Sequence, residues 1–314
     1  MNKLVLATLF LFSCPLARPQ APPVPATPNP APQPWTDHFR KATVCLGRVI
    51  TIGTKRSFSV VGTGVLVTSQ SRKVYLVTAK HMFDDPSQAW HPSELRIRFA
   101  IQENKTFTQD LGWPIILTDS SGGNLWSALP DGSDIAAIPI PATFSPIVTD
   151  EIGFQDFATS NDVFDGGGVF VFGYPMAAQI LTRPDGLVRA VTRSGIIAWT
   201  DPNGPMDNPL LLDSNVMPGN SGGPAFRVPI GTNKAGGMDV GGRVSFLGIV
   251  TQDYKGYYSV EADGRVVSKQ WPDLTVPSIE QVGVIGIGGL GKVEPASKVK
   301  KLLEQMDSES ASHK

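Results

Sequence analysis

Residues 74–81 read Val74-Tyr-Leu-Val-Thr-Ala-Lys-His81, a short apolar and β-branched run that stops at a histidine. A run of this length and composition, with no recurrence at helical spacing, predicts a strand. The same pattern recurs in Thr43-Val-Cys-Leu46, Phe58-Ser-Val-Val61, Gly64-Val-Leu-Val67 and Val169-Phe-Val-Phe172, with Gly, Pro, Asn and Asp clusters between the runs. Leu95-Arg-Ile-Arg-Phe99 alternates apolar and charged residues, as a half-exposed strand does. From Trp35 onward the pattern is therefore read as β. Strands without intervening helices argue for antiparallel barrels or sandwiches and against a parallel sheet. The one helix expected lies near the end, where Val299, Leu302, Leu303 and Met306 recur at i, i+3, i+4 and i+7 after Pro295.

Composition narrows the partners. The 314 residues carry 27 Lys and Arg against 28 Asp and Glu, a formal charge of −1. The charges are scattered, so no nucleic-acid partner is expected. Met1 to Ala17 place a lysine before an apolar run, with small residues and a proline after it, which is the layout of a secretory signal too short to span a bilayer. Leu-Phe-Ser-Cys14 resembles the lipobox of bacterial lipoproteins, which would make Cys14 a lipidated N-terminus. Cleavage near Ala17 and free export is the alternative. Residues 18–35 are proline-rich and read as a solvated spacer. Cys45, between Val44 and Leu46, reads as a small buried apolar residue, so no disulfide framework is expected. A composition change over residues 141–168 divides the body into halves at 36–150 and 151–306, with a polar tail at 307–314.

His81 is one of four histidines, and the only one at the end of an expected packed strand. Downstream, Pro218-Gly-Asn-Ser-Gly-Gly-Pro-Ala-Phe226 frames one serine with residues of wide backbone freedom. A nucleophilic hydroxyl needs a base to take its proton and donors where negative charge develops. Ser221 would be the nucleophile, and the backbone N–H groups of Gly219 and Ser221 the donors. Asp134, at the mouth of the apolar segment Ile135-Ala-Ala-Ile138, could accept the imidazole N–H and fix its tautomer. Taken singly, the serine is a Gly-rich turn, the histidine a structural residue and the acid a turn aspartate.

Together with Gly62-Thr-Gly64, Thr78-Ala-Lys-His81, Asp134-Ile-Ala-Ala, Phe172-Gly-Tyr-Pro175, Leu212 to Pro224 and Leu247-Gly-Ile-Val-Thr251, these residues resemble the trypsin-like serine peptidases of the chymotrypsin fold. The likeness runs from about residue 40 to 306 in the order His, Asp, Ser. It is nearest to the disulfide-free bacterial envelope branch that includes the Deg-type proteases. The resemblance implies an all-β fold of two antiparallel six-stranded barrels with a C-terminal helix. It implies His81 as general base, Asp134 as its orienter, and peptide or protein as substrate, cleaved through an acyl-enzyme. The strand from Phe246 to Thr251 would line the cleft, with Ile249, Val250 and Thr251 pairing with extended peptide.

Departures from the family pattern are equally informative. Asn220 stands where trypsin-type enzymes carry an aspartate, so activation by a newly cut N-terminus is not expected. Asn215 stands where their pocket places an acid, and Val216 and Met217 point to an apolar pocket instead. The chain ends soon after the final helix, so no PDZ module is expected. Gly286-Ile-Gly-Gly-Leu-Gly291 fits the dinucleotide fingerprint, yet Val293 replaces the hydroxyl a phosphate loop needs, and the glycines are read as close β packing. No His, Cys and acid cluster has ligand spacing, so neither metal nor cofactor is expected. Two functions follow, an exported serine endopeptidase of the bacterial envelope and a latent, protease-like binding protein.

Overall fold

The computed structural model describes residues 35–99, 111–141, 144, 150–175, 190–260, 266–269 and 285–312. The expected signal segment, Cys14, residues 18–34 of the proline-rich spacer and His313 lie outside the described residues. Residues Pro34–Lys314 cluster as one unit.

The chain opens with α1 (Trp35–Ala42) and continues through β1 (Thr43–Ile52), β2 (Lys55–Thr68), β3 (Val74–Thr78), β4 (Glu94–Arg98), β5 (Trp113–Ile116), β6 (Ser127–Ala128), β7 (Ala136–Pro139) and β8 (Ile152–Gly153). These strands form one sheet in the order β5-β4-β1-β2-β3-β7-β6, and β8 pairs with β2 in parallel. The second half supplies β9 (Gly168–Gly173), β10 (Val191–Trp199), β11 (Leu210–Asp213), β12 (Pro224–Arg227), β13 (Ile230–Thr232), β14 (Met238–Val240), β15 (Ser245–Val260), β16 (Val266–Lys269) and β17 (Ile285–Pro295), then α2 (Ala296–Ser312). Here β12-β9-β10-β11-β17-β15 run in order, and the β12–β15 pairing closes the ring into a six-stranded barrel. The first sheet curls as a half-barrel and is not closed among the described residues. The fold is all-β and chymotrypsin-like, as the sequence indicates.

Burial follows each strand's place in its sheet. In β4, Leu95 and Ile97 are buried while Glu94, Arg96 and Arg98 are half-buried. In β3, Tyr75, Leu76, Val77 and Thr78 are all fully buried, because the strand lies between β2 and β7. A core shared by both halves joins Val65, Tyr75 and Val77 of the first sheet to Phe172, Phe226 and Ile249 of the second. Helix α2 adds Val299, Leu302, Leu303 and Met306 to this core, the i, i+3, i+4, i+7 stripe read from the sequence.

Three expectations need correcting. Trp35–Ala42 is helical, not β, and its Phe39 packs on Phe226 with ring centroids 4.2 Å apart. A helix of this length has little stability alone, so its conformation is set by that tertiary contact. The segment from residue 307, expected as a polar tail, continues α2 to Ser312, and Asp307 accepts hydrogen bonds from Tyr75 Oη and Ser71 Oγ, each at 2.7 Å. Finally, Ile152 and Gly153, expected to begin the second half, pair with Val67 and Thr68 of the first sheet.

The glycine run 286–291 lies within the single strand β17. A Cβ on Gly291 would stand 2.4 Å from Val216 Cγ2, which is the close β packing expected of it.

Candidate active site

His81 and Asp134 are brought together by register. Strands β3 and β7 are antiparallel, with Thr78 opposite Ala136, so the residues just beyond that pair converge. His81 sits in a single 3₁₀ turn (Lys80–Met82) directly after β3. The Lys80 N–H donates to the Asp134 carbonyl at 3.2 Å, and the His81 N–H to Asp134 Oδ1 at 3.0 Å. His81 Nδ1 lies 2.7 Å from Asp134 Oδ2. A carboxylate only accepts, so Nδ1 carries the proton and the neutral ring presents Nε2 as an acceptor. The two side chains retain 28% and 30% of their exposure, so the pair is open to a reactant.

The turn before Asp134 is itself braced. Asp131 accepts from Ser133 Oγ at 2.6 Å and from the Ser133 N–H at 3.0 Å. The Ser133 hydroxyl and N–H hold the Asp131 carboxyl below the ordinary carboxylate range.

Ser221 lies in the turn entering β12, and that turn is held from the first sheet. The Thr63 N–H donates to the Ser221 carbonyl at 2.9 Å, and Thr63 Oγ1 donates to the Gly219 carbonyl at 2.7 Å. The same hydroxyl accepts the Tyr174 N–H at 2.8 Å, and the Thr63 carbonyl accepts Thr78 Oγ1 at 2.7 Å. A Cβ on Gly222 would stand 1.9 Å from the Thr63 carbonyl oxygen and 2.1 Å from Thr78 Oγ1, and its φ is +84°. Only glycine fits there. Thr78, three residues before His81, thus carries the serine turn beside that histidine.

The backbone at residues 217–220 is a hydrogen-bonded turn. The Asn220 N–H reaches the Met217 carbonyl at 3.0 Å, and Gly219 has φ +94°. Proline second and a positive-φ glycine third is the type II pattern. Neither the Gly219 nor the Ser221 N–H has a hydrogen-bond partner among the described residues. No hydrogen bond joins Ser221 Oγ to the His81 ring among them either; such contacts are often long before a reactant binds.

The other two described histidines pair with other carboxylates. His38 Nδ1 lies 2.8 Å from Asp150 Oδ1, and His91 Nδ1 lies 2.5 Å from Asp84 Oδ1. Cys45 is fully buried, and burial pushes its thiol far up, out of reach of reactivity at neutral pH. Among the described residues no group of three or more His, Cys, Asp or Glu is placed to hold a metal.

The expected specificity residues divide. Asn215 is exposed with φ +44°, and Met217 is 36% exposed, so both face the surface beside the serine turn. Val216 is instead buried in the barrel core with Val250. Ile249 and Val250 are fully buried and lie within the barrel wall, where Ile249 pairs with both Pro224 and Glu294. The Val250 N–H and carbonyl are bonded to Gly223 and Gly222. The expectation that these two residues meet a peptide is corrected, because neither side chain nor edge is free. Beyond them Thr251 is buried, with its Oγ1 lacking a hydrogen-bond partner among the described residues.

The residues missed by sequence reasoning are Thr63 and Thr78. Their signal was a hydroxyl on a buried strand, flanked by glycines in one case and ending the strand in the other.

A family model described as a trypsin-like peptidase domain matches residues 62–231, more than half of the chain. No curated protein matches. Among solved structures, the serine endoprotease from Yersinia pestis is 16% identical with a TM-score of 0.45, over 86% of this chain and 64% of that one. The HtrA-type protease AlgW with decapeptide is 16% identical with a TM-score of 0.45, over 87% of this chain and 65% of that one. This chain thus spans less than two thirds of either. The family match extends from the glycine before Thr63 past the serine turn and includes His81 and Asp134, and by it the chain belongs to the trypsin-like peptidase domain family.

Proposed function

We propose that this chain is an exported serine endopeptidase using His81, Asp134 and Ser221. Ser221 Oγ attacks the scissile carbonyl carbon while its proton passes to His81 Nε2. The N–H groups of Gly219 and Ser221 receive the oxyanion. Collapse of the tetrahedral adduct expels the amine, which takes the proton from His81, and leaves an ester on Ser221. Water, deprotonated by His81, then hydrolyses that ester. Asp134 holds the ring and stabilises the imidazolium. The carrying observation is the two-point hold of Asp134 on His81, at 3.0 and 2.7 Å, next to a serine turn whose two N–H donors have no partner among the described residues.

Export to the bacterial envelope rests on residues 1–17, through lipidation at Cys14 or cleavage near Ala17. A second reading, a latent binding protein, is favoured by Asn220, whose fully buried amide has no partner among the described residues. Hydrolysis of an unfolded protein such as reduced casein separates the two readings. Cleavage abolished by Ser221→Ala is expected. Binding of casein without cleavage, by folded protein, would favour the latent reading.

A further inference from the structure

The outer face of the closed barrel carries a hollow of about 680 Å³ that the proposed chemistry does not use. Its apolar walls are Trp199, Pro209, Leu211 and Leu290, and Asp201, Asn208 and Lys292 complete the lining. Strand register explains why these residues meet. Trp199 of β10 stands opposite Leu211 of β11, which stands opposite Lys292 of β17. In a neighbouring row Ile196, Asp213 and Leu290 are matched in the same way. Residues directly opposite on antiparallel strands share a face, so both rows point away from the barrel core, which holds Ile197, Leu212 and Val293 instead. Ile196 and Trp199 are each 44% exposed and Leu290 37%. Clustered exposure of this kind marks an interaction surface.

The polar lining is already committed within the chain. Asp201 Oδ1 accepts the Asn203 N–H and Oδ2 accepts Asn208 Nδ2, both at 2.8 Å. The Lys292 ammonium lies 2.7 Å from Oε1 of the buried Glu294. The hollow therefore offers an occupant apolar surface, with Lys292 adding its methylene stem, and its charges are spent internally. The Asn208 and Asp207 N–H groups donate to the Gly204 carbonyl at 2.9 and 3.1 Å, so the loop wall is formed before anything binds.

Position names the occupant. Along β10 the strip leads from Trp199 through Ile196 to Arg193, whose Nη2 lies 3.0 Å from Sδ of Met217, four residues before Ser221. On β17 the Gly289 carbonyl, next to Leu290, accepts the Ser214 and Asn215 N–H groups at 3.2 and 3.0 Å. The apolar face is thus continuous with the segment that leads into the serine turn. We propose that it is a substrate exosite, which holds an apolar, aromatic-bearing segment of an unfolded polypeptide away from the scissile bond. The inference rests on the peptidase reading above and names its substrate class: extended polypeptides with an apolar segment outside the cleaved residues, in preference to short peptides.

The test compares two substrates of the full mature chain, reduced casein and a short fluorogenic peptide spanning one of its mapped cleavage sites. Trp199→Ser should raise KM for casein about tenfold, the range of one large apolar contact, with kcat unchanged and peptide hydrolysis unaffected. Leu290→Asp, on the neighbouring strand, should do the same and keeps the inference testable if Trp199→Ser does not fold. A loss shared equally by casein and peptide, or no loss on either substrate, overturns the inference and leaves the peptidase reading standing. So does calorimetric titration of the Ser221→Ala protein in which oleate binds in a Trp199-dependent way and casein does not, which assigns the hollow to a small apolar ligand. Wild-type protein that neither cleaves casein nor reacts at Ser221 with a fluorophosphonate removes both.

Discussion

The His81–Asp134 pair and the Ser221 turn are held in opposite ways. The pair is local to one half of the molecule, set by the β3–β7 register and by hydrogen bonds between the two residues themselves. The serine turn belongs to the closed barrel, yet its Gly219 and Ser221 carbonyls are held by Thr63 of the other sheet. The His81–Asp134 pair is therefore built within a half, while the Ser221 turn depends on the two halves being docked. Damage to docking should disarm the serine and spare the pair.

The largest effect expected is at the local end of that comparison. Asp134→Asn should keep the geometry but present the wrong tautomer, lowering kcat about 10⁴-fold in peptide hydrolysis. A loss of only a few fold would mean that the pair does not act as proposed. Gly222→Ala should cost about 4 kcal/mol, because its Cβ meets the Thr63 carbonyl and φ is +84°. Denaturant unfolding would measure it, and an unchanged midpoint would break the claim of a tight interface at Thr63. Thr63→Val keeps the shape and removes one hydroxyl, leaving the Gly219 carbonyl and the Tyr174 N–H unpaired, so kcat should fall about 10- to 100-fold, by about 1–3 kcal/mol. An effect confined to KM would place Thr63 in substrate binding instead.

The smallest effect concerns the α2 latch, remote from the serine. Burial opposes the Asp307 charge, but hydrogen bonds from Ser71, Ser69 and Tyr75 prevail and hold its carboxyl below the ordinary range. A lowered folded-state pKa contributes stability above the unfolded carboxylate pKa and loses it as pH falls through the folded value. Tyr75→Phe should cost about 1 kcal/mol at neutral pH, with the difference from wild type shrinking as Asp307 is protonated. Thermal melts across the acid range would show it, and a difference constant with pH would contradict the latch.

How much was legible follows the same division. The β3 and β4 strands and the α2 stripe were readable because each is decided by neighbours in sequence, through an apolar β-branched run, alternation or helical recurrence. Short motifs surround His81, Asp134 and Ser221 in the sequence, and the structure brings His81 and Asp134 together. Helix α1 was not readable, since its conformation rests on Phe39 meeting Phe226 far along the chain. Thr63 was not, since its hydroxyl finds Gly219 only after both halves fold. Ile249 and Val250 were misassigned for a related reason. An apolar strand reads alike whether it lines a cleft or lies within a barrel wall, and only the pairing of β15 with both β12 and β17 distinguishes them.

The most direct measurement is reaction of the mature protein with a fluorophosphonate, mapped by mass spectrometry beside Ser221→Ala and His81→Ala. The account predicts one adduct per chain at Ser221, absent in the first variant and strongly slowed in the second. A folded protein that stays unlabelled, or that labels at another residue, would contradict it.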